Sequence, residues 1–414
     1  LTPNFDRLAQ RGTHLYHMLT PQPVCGPARA VMQTGQYAST NGCIANAIPL
    51  RPDARTMAHY FNEAGYQTGY IGKWHLSDKS LGAVPEESRG GYQYWLAANT
   101  LEMTSRPYDT IVYDNENQEV KLPGYRVDAL AAAAIRYVDD HKDNPFFLFL
   151  SFIEPHQQND VDDYCAPEGY REKYLDGWLP PDLRALTGNA PSKIAGYYGM
   201  VKKLDEAFGR LMDSLASSGL RENTIVLFTS DHGCHFRTRR GEYKRTCHES
   251  SVRVPGMLCG GPFEGGGQVR QQVSLVDVAP TLLDAAGIEI PEEMQGKSIL
   301  PLLNNRRAPW RDAALIQISE STPSKKGHEG RAIRTARWKY AVGTLEAQDD
   351  GASTHYDEEF LYDLDRDPYE LRNLINDEKY ADIRAQLREQ LLDLMVEAGE
   401  ARPLIKMQTK ESIL

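Results

Sequence analysis

The chain has 414 residues, enough for roughly two or three domains and for a core that can enclose a deep pocket. Its 57 acidic residues outnumber 46 basic ones, and the formal net charge of −11 argues against a surface built to coat nucleic acid or an anionic membrane. Charged residues at 25% and hydrophobic ones at 41% are ordinary globular values, which disfavours wholesale disorder. In chain order, the strongest strand candidates are residues 68–72, 146–153, 224–230 and 256–260, short apolar runs of the kind covered on both faces. Helical spacing separates them. Val127, Leu130, Ala134 and Val138 share one face; Ile194, Val201, Leu204, Phe208, Leu211 and Leu215 share another, with Gly219 where a terminating glycine belongs.

This alternation predicts an α/β fold, a mostly parallel central sheet flanked by helices. Ligands of such sheets bind beyond the carboxyl ends of the strands. Lys73 and His75, His156, and the pair Asp231 and His232 all follow predicted strands. After residue 303 the texture changes to a polar turn at 304–309, strand-like pieces at 314–319 and 338–342, and a terminal helix with Ile383, Leu387, Leu391 and Met395 on one face. The expected division is a catalytic α/β domain over 1–303 and a smaller α+β subdomain over 304–414, with a small antiparallel sheet. The longest largely apolar stretch, 146–153, falls far short of the ~18 residues that a membrane span needs. Six cysteines are too few for a disulfide-built fold, and none forms a C-x-x-C pair.

The segment from Cys25 to Gly35 carries the most information. It reads C-x-P-x-R, through Cys25, Pro27 and Arg29, and then Thr34-Gly35 at a fixed distance. A chance match is on the order of one in a million per start site. Alone, Cys25 would read as a small buried apolar residue. In this setting it resembles the signature of the type I sulfatases, of the alkaline phosphatase-like superfamily, although that family often has Ser at the place of Ala28 and Leu at that of Gln33. The resemblance implies that Cys25 is converted to formylglycine by a maturation enzyme, and that the hydrated aldehyde attacks sulfur.

Attack on an ester that is already anionic needs concentrated positive charge and an acid for the leaving alcohol. Gly72-Lys73-Trp74-His75 resembles the family block in which Lys and His contact the hydrated aldehyde and sulfate oxygens. The run from Ser151 to His156 resembles the block whose histidine sits near the leaving oxygen, which makes His156 the expected general acid. Lys244 takes the place of the second sulfate-binding lysine, and Arg29 is the signature arginine. The resemblance places a calcium ion at Asp231, His232 and Cys25. Asp231 is a hard oxygen donor suited to calcium, whereas His232 is less so. An aspartate after a strand can also be a helix N-cap, the lesser alternative for Asp231.

Members of that family open with a strand ending in an Asp-Asp pair that supplies two metal carboxylates. Thr2-Pro3-Asn4-Phe5-Asp6-Arg7-Leu8 resembles the helix after it, but no such strand is in the chain; Asp139-Asp140, Asp162-Asp163 and Asp349-Asp350 stand in other contexts. The expectation is a chain shortened by its first strand. Gln157 is expected to bond sugar hydroxyls, and His235, Arg237, Arg239 and His248 to form an anion-binding rim, or equally a solvated loop. The expected function is hydrolysis of a sulfate ester on a sulfated saccharide. Alternatives are phosphonate monoester or phosphodiester hydrolysis on the same fold, or a non-catalytic sulfated-glycan binding protein. The resemblance also implies a periplasmic or secreted location, although no export signal is visible.

Overall fold

A computed structural model of the chain describes residues 1–407 except 306, 322–325, 347, 349 and 350. Part of the expected turn at 304–309 and the Asp349-Asp350 pair thus lie outside the described residues. Nine strands precede the expected boundary: β1 (Thr13–Leu19), β2 (Gln67–Lys73), β3 (Tyr94–Ala98), β4 (Thr110–Tyr113), β5 (Glu119–Leu122), β6 (Phe146–Ser151), β7 (Val226–Thr229), β8 (Gly256–Cys259) and β9 (Gly267–Ser274). The main helices are α1 (Pro3–Arg11), α2 (Cys25–Thr34), α3 (Arg126–His141), α4 (Ala190–Ser217) and α5 (Ala381–Glu397). The four predicted strands correspond to β2, β6, β7 and β8.

The strands form two sheets, in the orders β5-β4-β3-β2-β6 and β7-β8-β1-β9. The strands that deliver site residues in the first sheet, β3, β2 and β6, run parallel, as do β1 and β9; the other pairs are antiparallel. Gly72 sets the exit of β2. Its φ of +108° and its approach to β6, where an added Cβ would lie 1.9 Å from the Ser151 carbonyl oxygen, admit no side chain. That contact fixes where Lys73 emerges. Leu130, Ala134 and Tyr137 of α3 pack with Ile71 and Leu96, and Leu204, Phe208, Met212 and Leu215 of α4 pack with Phe5 and Met257.

A cavity of about 1270 Å³ separates the two sheets. Its walls are the apolar edges of β6 (Phe146, Leu148, Leu150) and β7 (Val226, Phe228), and Lys73, His156, Asp231 and His232 stand among its lining residues. Each of these strands ends its sheet and has one strand neighbour among the described residues. This explains why two uniformly apolar strands are only half-buried.

Beyond residue 303, β10 (Ala313–Ser319), β11 (Glu329–Thr335), β12 (Trp338–Thr344), β13 (His355–Asp363) and β14 (Leu404–Lys406) form a sheet in chain order, antiparallel except for β13 with β14. Leu387, Leu391 and Met395 of α5 are buried. They belong to one continuous apolar cluster with Leu15, Met32 and Leu258, so the small sheet shares the core of the rest.

A buried ionic knot fastens that seam. Lys339 Nζ lies 2.6 Å from Glu370 Oε1 and 2.8 Å from Glu249 Oε1, and Arg334 lies 3.2 Å from Glu249. Burial alone would raise the Glu249 carboxyl, but Lys339 and then Arg334 hold it well below the usual carboxylate range. A depressed carboxylate contributes stability above its unfolded pKa, and that contribution is lost as pH falls through the folded value. Lys339→Met should cost roughly 3–5 kcal/mol of unfolding free energy by urea titration, because the buried Glu370 loses its cation and Glu249 keeps Arg334 alone. Much of that difference should disappear in acid. A cost below 1 kcal/mol would refute the assignment of the knot as a fastening.

Candidate active site

Cys25 is the first residue of α2, a helix buried along its whole length. Val24, in extended conformation, turns the chain from the loop after β1 into the helix. Cys25 thus stands at the positive end of the helix dipole, a position that favours negative charge. Gly35, at φ 65°, ends the helix in the left-handed conformation. The spacing between Cys25 and Thr34-Gly35 is therefore the length of one helix.

Around the sulfur, Lys244 Nζ stands at 3.0 Å and His232 Nε2 at 3.3 Å, and His75 and His156 are close enough to couple to it electrostatically. Burial alone would raise the Cys25 thiol; Lys244, then Lys73 and His232, reverse that effect and hold it well below its ordinary value. Arg29 lies one helical turn after Cys25. Its guanidinium donates to Asp231 Oδ2 (3.1 Å), the Lys73 carbonyl (2.8 Å) and Ser151 Oγ (2.6 Å). One arginine thereby ties together the carboxyl ends of β2, β6 and β7.

His156 carries its Nδ1 2.5 Å from the Gln157 carbonyl, which leaves Nε2 to receive the Tyr243 hydroxyl at 3.0 Å. Burial, followed by Lys73, lowers its pKa, opposed by the contact with Cys25. An anion entering the pocket would push that value back up and favour the protonated form. His232 places Nδ1 2.8 Å from the Gly233 carbonyl, so Nε2 is the atom that faces Cys25.

The structure thus brings Cys25, Arg29, Lys73, His75, His156, Asp231, His232 and Lys244 to one buried cluster. One ligand atom each of Cys25, Asp231 and His232 lies within 4.8 Å of the others, a candidate divalent-metal cluster. Calcium, however, takes six to eight oxygen ligands. Here a single carboxylate is present, with one oxygen on Arg29 and the other accepting the His232 amide. The described residues alone do not fit calcium.

Among the expected substrate contacts, Gln157 lines the cavity and donates to Asp162, and Arg237 pairs with the same aspartate at 2.8 Å in an exposed position. The other three need correction. His235 is fully buried, 3.2 Å from the Lys244 carbonyl, and its pKa falls to about 4, chiefly through burial. Arg239 donates to the carbonyls of Glu370 (2.8 Å) and Tyr369 (2.7 Å), and His248 is buried against the Tyr362 hydroxyl at 3.2 Å. These residues brace the loop that carries Lys244 against the C-terminal sheet, because its buried carbonyls and hydroxyl need partners. Two residues escaped the sequence reading: Tyr243, bonded to His156, and Glu102, whose Oε1 lies 2.7 Å from Lys73 Nζ. A lone Tyr or Glu has no motif, although Glu102 shares with the recognised residues a place just past a strand end.

A buried nucleophile position at a helix N-terminus, ringed by lysines, an arginine and histidines beyond parallel strands, defines a hydrolase of anionic esters. Comparison with known proteins narrows the class. The sulfatase family profile matches residues 1–288, and a profile of the C-terminal part of N-sulphoglucosamine sulphohydrolase matches residues 241–397. The chain is 30% identical to an ulvan-active sulfatase of Formosa agariphila, covering 96% of this chain and 77% of the relative. It is 26% identical to an N-acetylglucosamine-6-O-sulfatase of Bacteroides thetaiotaomicron, covering 100% and 84%. The crystal structure of a putative sulfatase, YidJ, of Bacteroides fragilis superposes with a TM-score of 0.84 at 25% identity, covering 97% and 91%. The chain belongs to the sulfatase family and is a sulfuric ester hydrolase. Among the described residues no helix is long and apolar enough to cross a membrane.

Proposed function

We propose that the ester is carried on a saccharide, and that the nucleophile is formylglycine made from Cys25 by a maturation enzyme. The observation that carries this reading is the cluster of Lys244, His232, His75 and His156 around the Cys25 sulfur. Formylglycine, once formed, supplies a hydroxyl nucleophile at that point. Lys73 and Lys244 hold the sulfate oxygens and offset their charge, and Arg29 fixes the ends of the three strands that present these groups. Once the bound anion has favoured its imidazolium form, His156 gives its Nε2 proton to the alcohol oxygen as the ester S–O bond breaks, and Tyr243 neighbours that atom. Saccharide as the carrier is supported by the relatives named as acting on ulvan and on N-acetylglucosamine sulfate.

If the metal is calcium, its further oxygen ligands must come from outside the described residues. We assign them to a strand preceding residue 1 that lies between β6 and β7. The apolar walls of the 1270 Å³ cavity and its lining by Asp231 and His232 support this reading. In a longer gene product the facing amides of β6 and β7 should exchange slowly with deuterium; rapid exchange there would contradict it. Division into units at residues 303 and 304, and export from the cytoplasm, belong to the same reading.

The test is release of inorganic sulfate by matured protein from defined sulfated mono- and disaccharides, beside an aryl sulfate and a phosphonate monoester. Faster turnover of at least one saccharide sulfate is expected. Preference for the phosphonate would favour the other chemistry that this fold supports, since a phosphonate monoester hydrolase of Agrobacterium radiobacter shares the fold at a TM-score of 0.75 and 23% identity.

A further inference from the structure

Glu102 sits in a short helix, Leu101–Thr104, that follows the carboxyl end of β3. Because Lys73 and Ala98 are partners in the parallel pairing of β2 with β3, the chain leaving β3 comes over the same sheet end as Lys73. There Glu102 Oε1 receives Lys73 Nζ at 2.7 Å, with the two side chains only 6% and 1% exposed. The second carboxylate oxygen, Oε2, is buried without a hydrogen-bond partner.

The backbone around it is also held. Gln158 Nε2 donates to the Glu102 carbonyl at 3.2 Å, while Arg126 reaches both Gln158 Oε1 (3.4 Å) and Glu154 Oε1 (2.9 Å). The helix of Glu102 is therefore locked to the loop that carries His156.

The charge pattern gives this pair a purpose. Three fixed cations, Arg29, Lys73 and Lys244, converge on the site, and Asp231 answers Arg29. Among the described residues Glu102 is the one carboxylate within ion-pair distance of Lys73. A lysine side chain is long and flexible, so without a fixed partner its rotamer is not set. One bond to Glu102 holds the ammonium while two of its three hydrogens remain for another acceptor. Burial alone would raise the Glu102 carboxyl, but Lys73, His75 and His156 bring it down to about 2, so it is ionised throughout the working range.

We propose that Glu102 is a positioning residue for sulfate ester hydrolysis, pinning the Lys73 ammonium where it meets the sulfate oxygens. This rests on the reading above that Lys73 contacts the substrate.

The experiment is a double-mutant cycle on matured protein, with kcat and KM for sulfate release and the thermal midpoint of every variant. Glu102→Gln, nearly isosteric, should lower kcat roughly ten- to a hundredfold, the range usual for groups that orient a first contact, with KM changed far less. Glu102→Asp should recover part of that loss. The double variant Glu102→Gln with Lys73→Ala should be no slower than Lys73→Ala alone, because the two residues act as a unit. A purely structural role would instead add its loss to that of Lys73→Ala, and such additivity overturns the proposal. If Glu102→Gln does not fold, Glu102→Asp carries the test, and a wild-type kcat in that variant counts against it. A wild-type rate in Glu102→Gln beside a slow Lys73→Ala overturns the role of Glu102 alone. A wild-type rate in Lys73→Ala overturns the reading of Lys73 as well.

Discussion

Alanine at Cys25 should reduce sulfate release by a factor on the order of 10⁴ or more, without loss of the folded state. The groups nearest this sulfur are cationic or imidazole side chains, with Lys244 at 3.0 Å and His232 at 3.3 Å. The remaining groups can bind and polarise a sulfate ester, but none offers a second nucleophile at that point. Helix α2 is buried and already contains Ala28 and Ala30, so a methyl group in place of the thiol changes its packing little. Initial rates, with circular dichroism of the same samples, check this. A variant that keeps more than about one hundredth of the rate would move the nucleophile elsewhere.

Alanine at Lys244 should cost roughly 10²- to 10³-fold in kcat, the range for removing one preorganised charge from a dry site. Burial alone would lower the Lys244 pKa, but the facing Cys25 raises it above its ordinary value, so the ammonium stays charged. Among the described residues no carboxylate lies within ion-pair distance of it; its hydrogen-bond partners are Cys25 Sγ and His232 Nε2. That places its charge on the reacting centre. Arg239→Ala makes the contrast. Its guanidinium braces the Tyr369 and Glu370 carbonyls, so that variant should lose stability and leave the discrimination between saccharide and aryl sulfates unchanged. A Lys244→Ala rate within threefold of wild type would refute its placement, with kcat and KM measured separately.

The candidate residues Cys25, Lys73, His156, Asp231 and Lys244 are legible in the sequence because each sits in a local block that resembles a family motif. Their convergence is not. Arg29 joins three strand ends through Asp231, the Lys73 carbonyl and Ser151, and no local pattern reports a hydrogen bond between residues that distant. The same holds for the cationic run after the Asp231 block. It looks like a solvent-facing rim or loop in sequence, yet Arg239 turns to the carbonyls of Tyr369 and Glu370, and His248 to the Tyr362 hydroxyl on β13. Strand β1 went unread because His14, Tyr16 and His17 interrupt its apolar pattern, although it lies inside the sheet between β8 and β9. The apolar core runs across the expected boundary at residue 303, which composition cannot show.

The chemistry at Cys25 is most directly tested by measuring the fraction of that residue present as formylglycine, by peptide mass, across preparations matured to different extents, and plotting sulfate release against it. The account predicts a rate proportional to the converted fraction, falling to background when the thiol is intact. Full sulfate release from protein whose Cys25 is wholly unmodified would contradict it.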